Sequence, residues 1–459
     1  MNFLKSTFTD KIFWRNTANL ALPIALQNLL SSSFALVDTL MIGNLGEISV
    51  AAVGLASQIA FLLNLFLFGI CSGGAVFASQ AWGAKNIKSI RTTFGIILSA
   101  GTILAFGFFA MAFFAPEFCM GLLSNDPEAI GVGTRYLKIA SFSYFGVMLT
   151  NVFSTVLRST EQVKIPLFSN IAAVLMNVFF NYALIFGKFG LPQMGIEGAA
   201  LATVISAITN ALVIYLFSLI RREVIACKPS EMFDFGLDAL KRFAHVALPV
   251  FLNEALWALG TTVCNAIFGR MGSDNFAALT ISRTVENFIF VFFVGLCNAC
   301  AVMIGKCIGE GNTEKAKTYS RRFLLLEPVV GVILALVLLP LRKGVLSLFD
   351  FGEASFTTAY LLLTVYCMEL VLRNIPYITI VGCFRAGGDT RRGMLYDLIC
   401  LWGVAIPVTY VLGLVIRADF VLTYFIMLLA EDVVKNVLCL RHFFSFKWIK
   451  PSVANDIVR

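Results

Sequence analysis

Charged residues, histidine and nucleotide-binding motifs are all scarce in this chain. Asp, Glu, Lys and Arg make up only 14% of its 459 residues, whereas a soluble domain carries about a quarter. The two histidines, His245 and His442, and the absence of an HExxH sequence argue against a haem or zinc enzyme. No P-loop sequence is present, which excludes direct use of ATP. We therefore expect no cofactor.

Cysteine is more frequent, but most of the 11 cysteines lie inside apolar segments. This placement excludes a disulfide framework outside the membrane. Cys297 and Cys300 form a lone CxxC pair within an apolar run, and we expect them to pack rather than to bind a metal.

Long apolar runs take the place of the missing charge. Hydrophobic residues make up 59% of the chain, with 44 phenylalanines, and the mean hydropathy is +0.85. The runs recur at about 20 residues, enough to cross roughly 30 Å of hydrocarbon as a helix, and the alternation of a membrane β-barrel is absent. We predict an all-α polytopic membrane protein with twelve transmembrane helices. The predicted spans are 18–42, 52–81, 92–115, 132–157, 166–187, 196–220, 243–268, 278–305, 322–341, 355–383, 394–416 and 419–440.

Lys and Arg are distributed unevenly over the loops between these spans. With the amino terminus placed inside, 26 of the 35 basic residues fall in one alternate set of loops and 6 in the other. Basic residues accumulate on the cytoplasmic side of membrane proteins. We therefore predict a multi-pass protein of the cell (inner) membrane with both termini in the cytoplasm. The net charge of +8 follows from this bias and does not indicate nucleic-acid binding.

The two halves of the chain are related by an internal repeat. Residues 20–46, LALPIALQNLLSSSFALVDTLMIGNLG, recur as residues 246–272, VALPVFLNEALWALGTTVCNAIFGRMG, with Cys264 in the place of Asp38. Six spans per half give both halves the same orientation, a parallel repeat typical of transporters whose site lies between the halves. The predicted parts are an amino-terminal six-helix bundle, 1–220, a cytoplasmic linker, 221–242, and a carboxy-terminal six-helix bundle with a cytoplasmic tail, 243–459.

Several motifs resemble those of the multidrug and toxic compound extrusion (MATE) family. They are VDTLMIGNLG (37–46), LRST (157–160) and NYALIFG (181–187) in the first half, and FGRMG (268–272), GKCIGEGN (305–312) and FRAGGDT (384–390) in the second. The resemblance covers essentially all twelve spans and implies two pseudo-symmetric six-helix bundles around a central cavity. It also implies antiport of small organic cations against Na⁺ or H⁺ by alternating access. The expected partners are these cations and membrane lipids, and we expect a monomer.

Two other functions are open at this point. Flippases for lipid-linked substrates belong to the same superfamily, usually with extra helices and cationic cavities, and a ring of Arg facing the cavity would favour that function. The sequence Gly387-Gly388-Asp389 faintly resembles a motif of intramembrane aspartyl proteases. Because it lies in a basic loop with Arg391 and Arg392, we interpret it as a structural turn and expect no enzyme.

Asp38 is the acid of the first span. Inserting a charge into a membrane costs roughly 2.5–3.5 kcal/mol, so this acid needs either a partner or a function. Neighbouring Ser, Thr or Asn side chains are one explanation, and a bound proton or Na⁺ is the other. Asn177 and Asn181 are four residues apart and share a helix face. By the family resemblance they form a cation-coupling site with Asp38 and Thr203, although many relatives carry Asp in place of Asn181.

The second half carries three further acids within its spans, Glu254, Glu286 and Glu369. Arg283 and Arg373 lie three and four residues from Glu286 and Glu369, so local ion pairs explain two of the acids. Glu254 is left without a local partner. Some relatives use acids on helices 7, 8 and 10, and by that resemblance all three are candidates for coupling or substrate binding.

Pro23 and Pro249 occupy equivalent positions in the first and seventh spans, 226 residues apart. Proline frees a backbone carbonyl and bends a helix. Both residues are therefore candidate helix-bending points, either as parts of a gate or as static kinks.

Overall fold

The computed structural model describes residues 10–349 and 352–450, without the side chains of 34–36, 353 and 354. Residues 1–9 and 451–459 of the two predicted bundles lie outside this part. In the first half the helices are α1 (Lys11–Gly43), α2 (Glu47–Gly83), α3 (Ile87–Phe114), α4 (Pro116–Gly121), α5 (Pro127–Ala140), α6 (Ser143–Ser159), α7 (Lys164–Phe186), α8 (Ile196–Arg221) and α9 (Pro229–Met232). In the second half they are α10 (Leu237–Arg270), α11 (Ser273–Gly309), α12 (Thr313–Leu346), α13 (Glu353–Tyr377), α14 (Thr390–Cys400), α15 (Ile406–Tyr410) and α16 (Phe420–Ser445).

The described helices account for the predicted membrane spans. Ten spans are long and apolar enough to cross a membrane, and α5 with α6 forms an eleventh that is bent by 51°. Helix α16 has the length of a span, but Glu431, Asp432 and Lys435 interrupt its apolar sequence. The all-α, twelve-helix prediction is confirmed.

The internal repeat is visible in where the helices begin. Helices α10, α11 and α12 each start 226 positions after α1, α2 and α3. Asn86 and Asn312 cap α3 and α12 in the same way, each accepting a backbone N–H at 3.0 Å through its side-chain oxygen. Gly46 and Gly272 precede α2 and α11 with φ of 100° and 136°, a region in which only glycine is free of strain. The repeated sequence therefore encodes repeated backbone geometry.

The described chain divides into two compact units. We call residues 26–244 the first-half unit. The second-half unit comprises the described residues up to Ala25 and those from His245 on. In this second-half unit the start of α1 packs on α12, because the ring of Phe13 is buried and lies 5.2 Å from both Tyr319 and Phe323.

The second-half unit contains π-helical stretches at Ile378–Phe384, Leu401–Ala405 and Val411–Ile416. Pro376 precedes the first, and Pro407 lies between the other two. A proline ring clashes with the carbonyl four residues earlier and offers no N–H. For Pro407 that carbonyl belongs to Gly403, inside a π-helical stretch, so the wider turn relieves the clash without ending the span. For Pro376 it belongs to Leu372 of α13, and this carbonyl accepts from the Asn436 side chain.

Candidate cation-coupling site

The first-half unit brings Asp38 of α1 against Asn177 and Asn181 of α7. The Asn181 side-chain amide donates to Asp38 Oδ1 at 2.6 Å and to Asn177 Oδ1 at 2.5 Å. Both asparagines are fully buried, whereas Asp38 is partly exposed. Three of the four predicted coupling residues thus form one hydrogen-bonded group, with its acid at the accessible edge.

Helices α5 and α8 supply the polar surroundings of this group. The Thr203 hydroxyl donates to the carbonyl of Ala199 at 3.0 Å. The Tyr136 side chain is hydrogen-bonded to Thr203 and interacts electrostatically with Asp38. Asn177 donates through Nδ2 to Ser206 Oγ at 3.3 Å. Sequence analysis missed Tyr136 and Ser206. Ser206 lies one turn after Thr203 and could have been found by helical spacing, but nothing local marks Tyr136.

The group has unused capacity for a cation. Asn181 Oδ1 is buried and accepts no hydrogen bond, and such an oxygen costs free energy unless something binds it. Na⁺ takes oxygen ligands, which the Asp38 carboxylate and the free Asn181 oxygen supply. A proton needs only the carboxylate. The residues present therefore fit either ion.

Glu254 has a partner that sequence analysis did not expect. In the second-half unit, Arg385 donates through Nη2 to Glu254 Oε1 at 2.7 Å, and both side chains are largely buried. Arg385 directly follows the π-helical stretch Ile378–Phe384 and is far from α10 in sequence. Glu254 therefore has no local partner, as expected, but it has a distant one that the sequence does not mark.

The two predicted local ion pairs do not form in the described structure. Arg283 donates to the side chain of Asn265, and Glu286 instead accepts from the Tyr424 hydroxyl at 3.3 Å. Glu369 is only 2% exposed, and neither of its carboxylate oxygens has a hydrogen-bond partner. Arg283 and Glu286 therefore find their partners on other helices, and the Glu369 carboxylate has no hydrogen-bond donor.

Pro23 and Pro249 lie inside α1 and α10, and both helices continue through them. Asp38 lies on α1, fifteen residues after Pro23, so a change of bend there would move the coupling acid. A role of either proline in gating stays a prediction.

A cavity of about 700 Å³ lies in the first-half unit, walled by α5, α6 and α8. No charged residue contributes to its lining, which is mostly aliphatic and includes four aromatic side chains, Phe142, Phe145, Phe153 and Tyr215. It suits an apolar group and provides no counter-charge for a cation.

Both halves of the chain match the same protein-family model. The family model described as MatE matches residues 23–183 and again residues 249–411. The two matches coincide with the repeat seen in the helices, and together they cover more than half of the sequence.

Curated relatives match over most of their length. "Probable multidrug resistance protein YoeA" of Bacillus subtilis is 27% identical over 403 residues, 87% of this chain and 87% of the relative. "Probable multidrug resistance protein NorM" of Thermotoga maritima is 24% identical over 445 residues, 95% of this chain and 93% of the relative.

Solved structures share the fold. A crystal structure of a MATE protein in complex with MaL6 matches with a TM-score of 0.84 at 18% identity, covering 94% of this chain and 96% of the other. A MOP superfamily transporter from Pyrococcus furiosus matches with a TM-score of 0.85 at 18% identity, covering 95% and 96%.

Proposed function

This chain belongs to the MATE family of secondary transporters, and from that premise we propose that it is an antiporter that exports amphiphilic organic cations in exchange for Na⁺ or H⁺. Like its relatives it is a multi-pass membrane transporter and not an enzyme. The names of its relatives support multidrug efflux. The coupling ion, the cationic substrates and alternating access are part of the proposal.

The hydrogen-bonded group around Asp38 carries this proposal. A carboxylate inside a membrane-spanning helix is expensive, and here a single amide donor offsets that cost. Binding of Na⁺ or a proton neutralises the Asp38 carboxylate, and this weakens the hydrogen bond that the carboxylate accepts from the Asn181 amide. We propose that this exchange of partners moves the end of α1 and lowers the affinity for the organic cation.

The charges of the second-half unit do not favour an anionic lipid-linked substrate. Arg385 is paired with Glu254, and Arg373 interacts with Glu286, Asp432 and Glu431. A flippase for such a substrate would need arginines that are free to bind the anion. These arginines already have acidic neighbours, so organic cations are the better proposal.

The test is efflux of ethidium from proteoliposomes under an imposed Na⁺ or pH gradient. We expect one gradient to drive wild-type efflux and Asp38→Asn to reduce it to the rate of protein-free liposomes. Glu47→Gln, which alters an exposed acid at the start of α2, is the matched control and should keep wild-type efflux.

Two results would count against the proposal. Wild-type protein that moves no organic cation under either gradient would redirect the search to lipid-linked substrates. Asp38→Asn protein with undiminished gradient-driven efflux would place the coupling elsewhere.

A further inference from the structure

In the first-half unit, an acidic part of the linker covers the amino-terminal end of α3. Arg91 Nη1 lies 2.9 Å from Glu231 Oε1 of α9, and Lys88 Nζ lies 3.3 Å from Asp234 Oδ2. These two residues are the only bases of α3. Both therefore have an acid of the same unit as partner.

Gly95 gives the linker room to lie on α3. It follows Arg91 by one turn, and a Cβ atom at this position would lie 2.0 Å from the carbonyl oxygen of Met232. No side chain fits in that space, and small residues permit such close contacts between helices. The acids of the linker can reach the bases because this position carries no side chain.

The internal repeat places larger residues at the equivalent end of α12. With the offset of 226 positions, Lys317 stands in the place of Arg91, and Arg321 stands in the place of Gly95. A side chain at the glycine position leaves no room for a segment that packs as α9 does. Something other than a linker must therefore meet the bases of α12.

Lys317 and Arg321 have little negative charge beside them. Lys317 Nζ lies 2.6 Å from Glu314 Oε1, but Glu314 is 81% exposed, and such solvated pairs contribute little. Among the described residues Arg321 forms no ion pair, whereas neighbouring bases of α12 have acidic partners. This end of α12 thus presents positive charge without a buried acid to balance it.

The ring of Phe446 brings the two cations together. Phe446 follows α16, and its ring centroid lies 5.6 Å from Lys317 Nζ and 4.9 Å from Arg321 Cζ. The face of an aromatic ring attracts cations, but like charges four residues apart on a helix repel each other. The exposed bases Arg441 and Lys447 lie on either side of Phe446 in sequence. An anion bound here would relieve the repulsion.

These bases lie at the border of the predicted membrane. Arg321 directly precedes the span 322–341, and Arg441 directly follows the span 419–440. One turn after Arg321, a row of apolar side chains begins along α12. Its members are between 40% and 47% exposed: Leu325, Val329 and Val332. In a membrane-spanning helix, such a row faces the acyl chains of lipids.

We propose that this surface binds an anionic phospholipid, with its phosphate between Lys317 and Arg321 and an acyl chain along α12. The site is independent of the antiport function. Its occupant follows from charge, since the equivalent base of the first half binds a carboxylate of the linker. Bases beside a membrane attract anionic head groups, and arginine binds phosphate through two parallel N–H donors. The apolar row favours a lipid over a free phosphate.

The experiment is native mass spectrometry of the purified protein, titrated with phosphatidylglycerol or with phosphatidylcholine of the same acyl chains. Wild type should bind phosphatidylglycerol more tightly. Arg321→Gln and Lys317→Gln should each weaken its binding roughly fivefold and leave phosphatidylcholine binding unchanged. Lys343→Gln, which alters an exposed base at the other end of α12, is the matched control and should bind as wild type does.

Four results would overturn the site. They are equal affinity of wild type for the two lipids, undiminished phosphatidylglycerol binding in both variants, equally tight binding of soluble glycerol phosphate, and binding that begins only after deletion of 451–459. The last would assign the surface to the chain's own carboxy-terminal residues. If the variants do not fold, wild type still tests the site, because raising the ammonium acetate concentration should weaken phosphatidylglycerol binding. Salt-independent binding would contradict a site built on these charges.

Discussion

At the scale of single residues, Asn181 has the most informative position in the molecule. Its amide nitrogen holds the Asp38 carboxylate at 2.6 Å, while its oxygen is buried and unused. The nitrogen stabilises the ion-free acid, and the oxygen would stabilise a bound metal cation. The nitrogen therefore opposes binding of either candidate ion, whereas the oxygen favours Na⁺ alone.

Asn181→Leu should distinguish Na⁺ from H⁺. Leu removes the donor, which makes protonation of Asp38 easier, and it removes the oxygen, which makes Na⁺ binding weaker. A lost hydrogen bond to a buried group is worth about 1–3 kcal/mol. The ion concentration for half-maximal efflux should therefore fall about tenfold or more for H⁺. For Na⁺ the lost ligand offsets the lost donor, so the value should not show this fall.

Asn44→Leu, at an exposed position near the end of α1, is the control for this experiment. It should leave the half-maximal concentration unchanged. An unaltered H⁺ dependence in Asn181→Leu as well would mean that Asn181 does not oppose protonation of Asp38.

At the scale of helices, close packing in the first-half unit depends on Gly146. A Cβ atom at this position of α6 would lie 2.7 Å from the carbonyl carbon and 2.8 Å from the oxygen of Ala207 on α8. Small residues allow such contacts between membrane helices. The backbone of α8 cannot move aside locally without separating the two helices.

Gly146→Val is accordingly expected to destabilise the protein by about 1–3 kcal/mol, the usual effect of overpacking. The measurement is the midpoint of heat inactivation by size-exclusion chromatography in detergent. Gly107→Val, at a position of α3 with nothing within 4 Å, should retain the wild-type midpoint. Equal midpoints for the two variants would show that α6 and α8 do not need this contact.

The loop between α13 and α14 fixes the residues that follow α16. Asp389 accepts from His442 Nε2 at 2.9 Å and from Lys450 Nζ at 3.0 Å, and the backbone N–H of Lys450 donates to the carbonyl of Gly387 at 3.0 Å. Trp448 is fully buried against this loop. Burial alone would raise the pKa of Asp389, but the hydrogen bonds from His442 and Lys450 outweigh it and hold that pKa below its ordinary value.

A depressed pKa in the folded state fixes the sign of the pH dependence. The stabilisation is present above the ordinary carboxyl pKa of about 3.9 and is lost as the pH falls through the lower folded value. After correction for the intrinsic pH dependence of amide exchange, we expect residues 446–450 to stay protected from hydrogen exchange at neutral pH and to lose that protection only in acid. Asp389→Asn should accelerate it at neutral pH, and Asp419→Asn, which alters the cap of α16, should not. Slow exchange in Asp389→Asn would show that the ion pairs do not fix this segment.

Sequence gave more information about the helices than about their polar contacts. Apolar runs and the 226-residue offset predicted the spans and the paired helix starts, because both depend on local composition. The Glu254–Arg385 pair joins residues 131 positions apart, and no local pattern marks it. The failure of Arg283 to pair with Glu286 has the same origin, since Asn265 of a neighbouring helix competes for the guanidinium. The spacing of Asn177 and Asn181 did predict their contact on one helix face, because both residues lie on α7.

At the scale of the whole molecule, the number of coupling sites determines how steeply a cation can be exported. Exchange of one monovalent cation for one ion moves no net charge, so only the concentration gradient of that ion drives it. Entry of two protons, one at Asp38 and one at a candidate acid of the second half such as Glu369, would carry one net positive charge inward. A potential of 100 mV then adds about 2.3 kcal/mol, or roughly fifty-fold in the export ratio.

Efflux should therefore respond to membrane potential if two protons enter for each exported cation. In proteoliposomes without a pH gradient, an inside-negative potential set by K⁺ and valinomycin should accelerate wild-type ethidium efflux relative to protein-free liposomes. Glu369→Gln should remove this acceleration while Asp38 still couples efflux to a pH gradient, because one proton per cation is electroneutral. Glu314→Gln should behave as wild type. Potential-independent efflux by wild type would indicate a single coupling ion per cation and would contradict entry of a second proton.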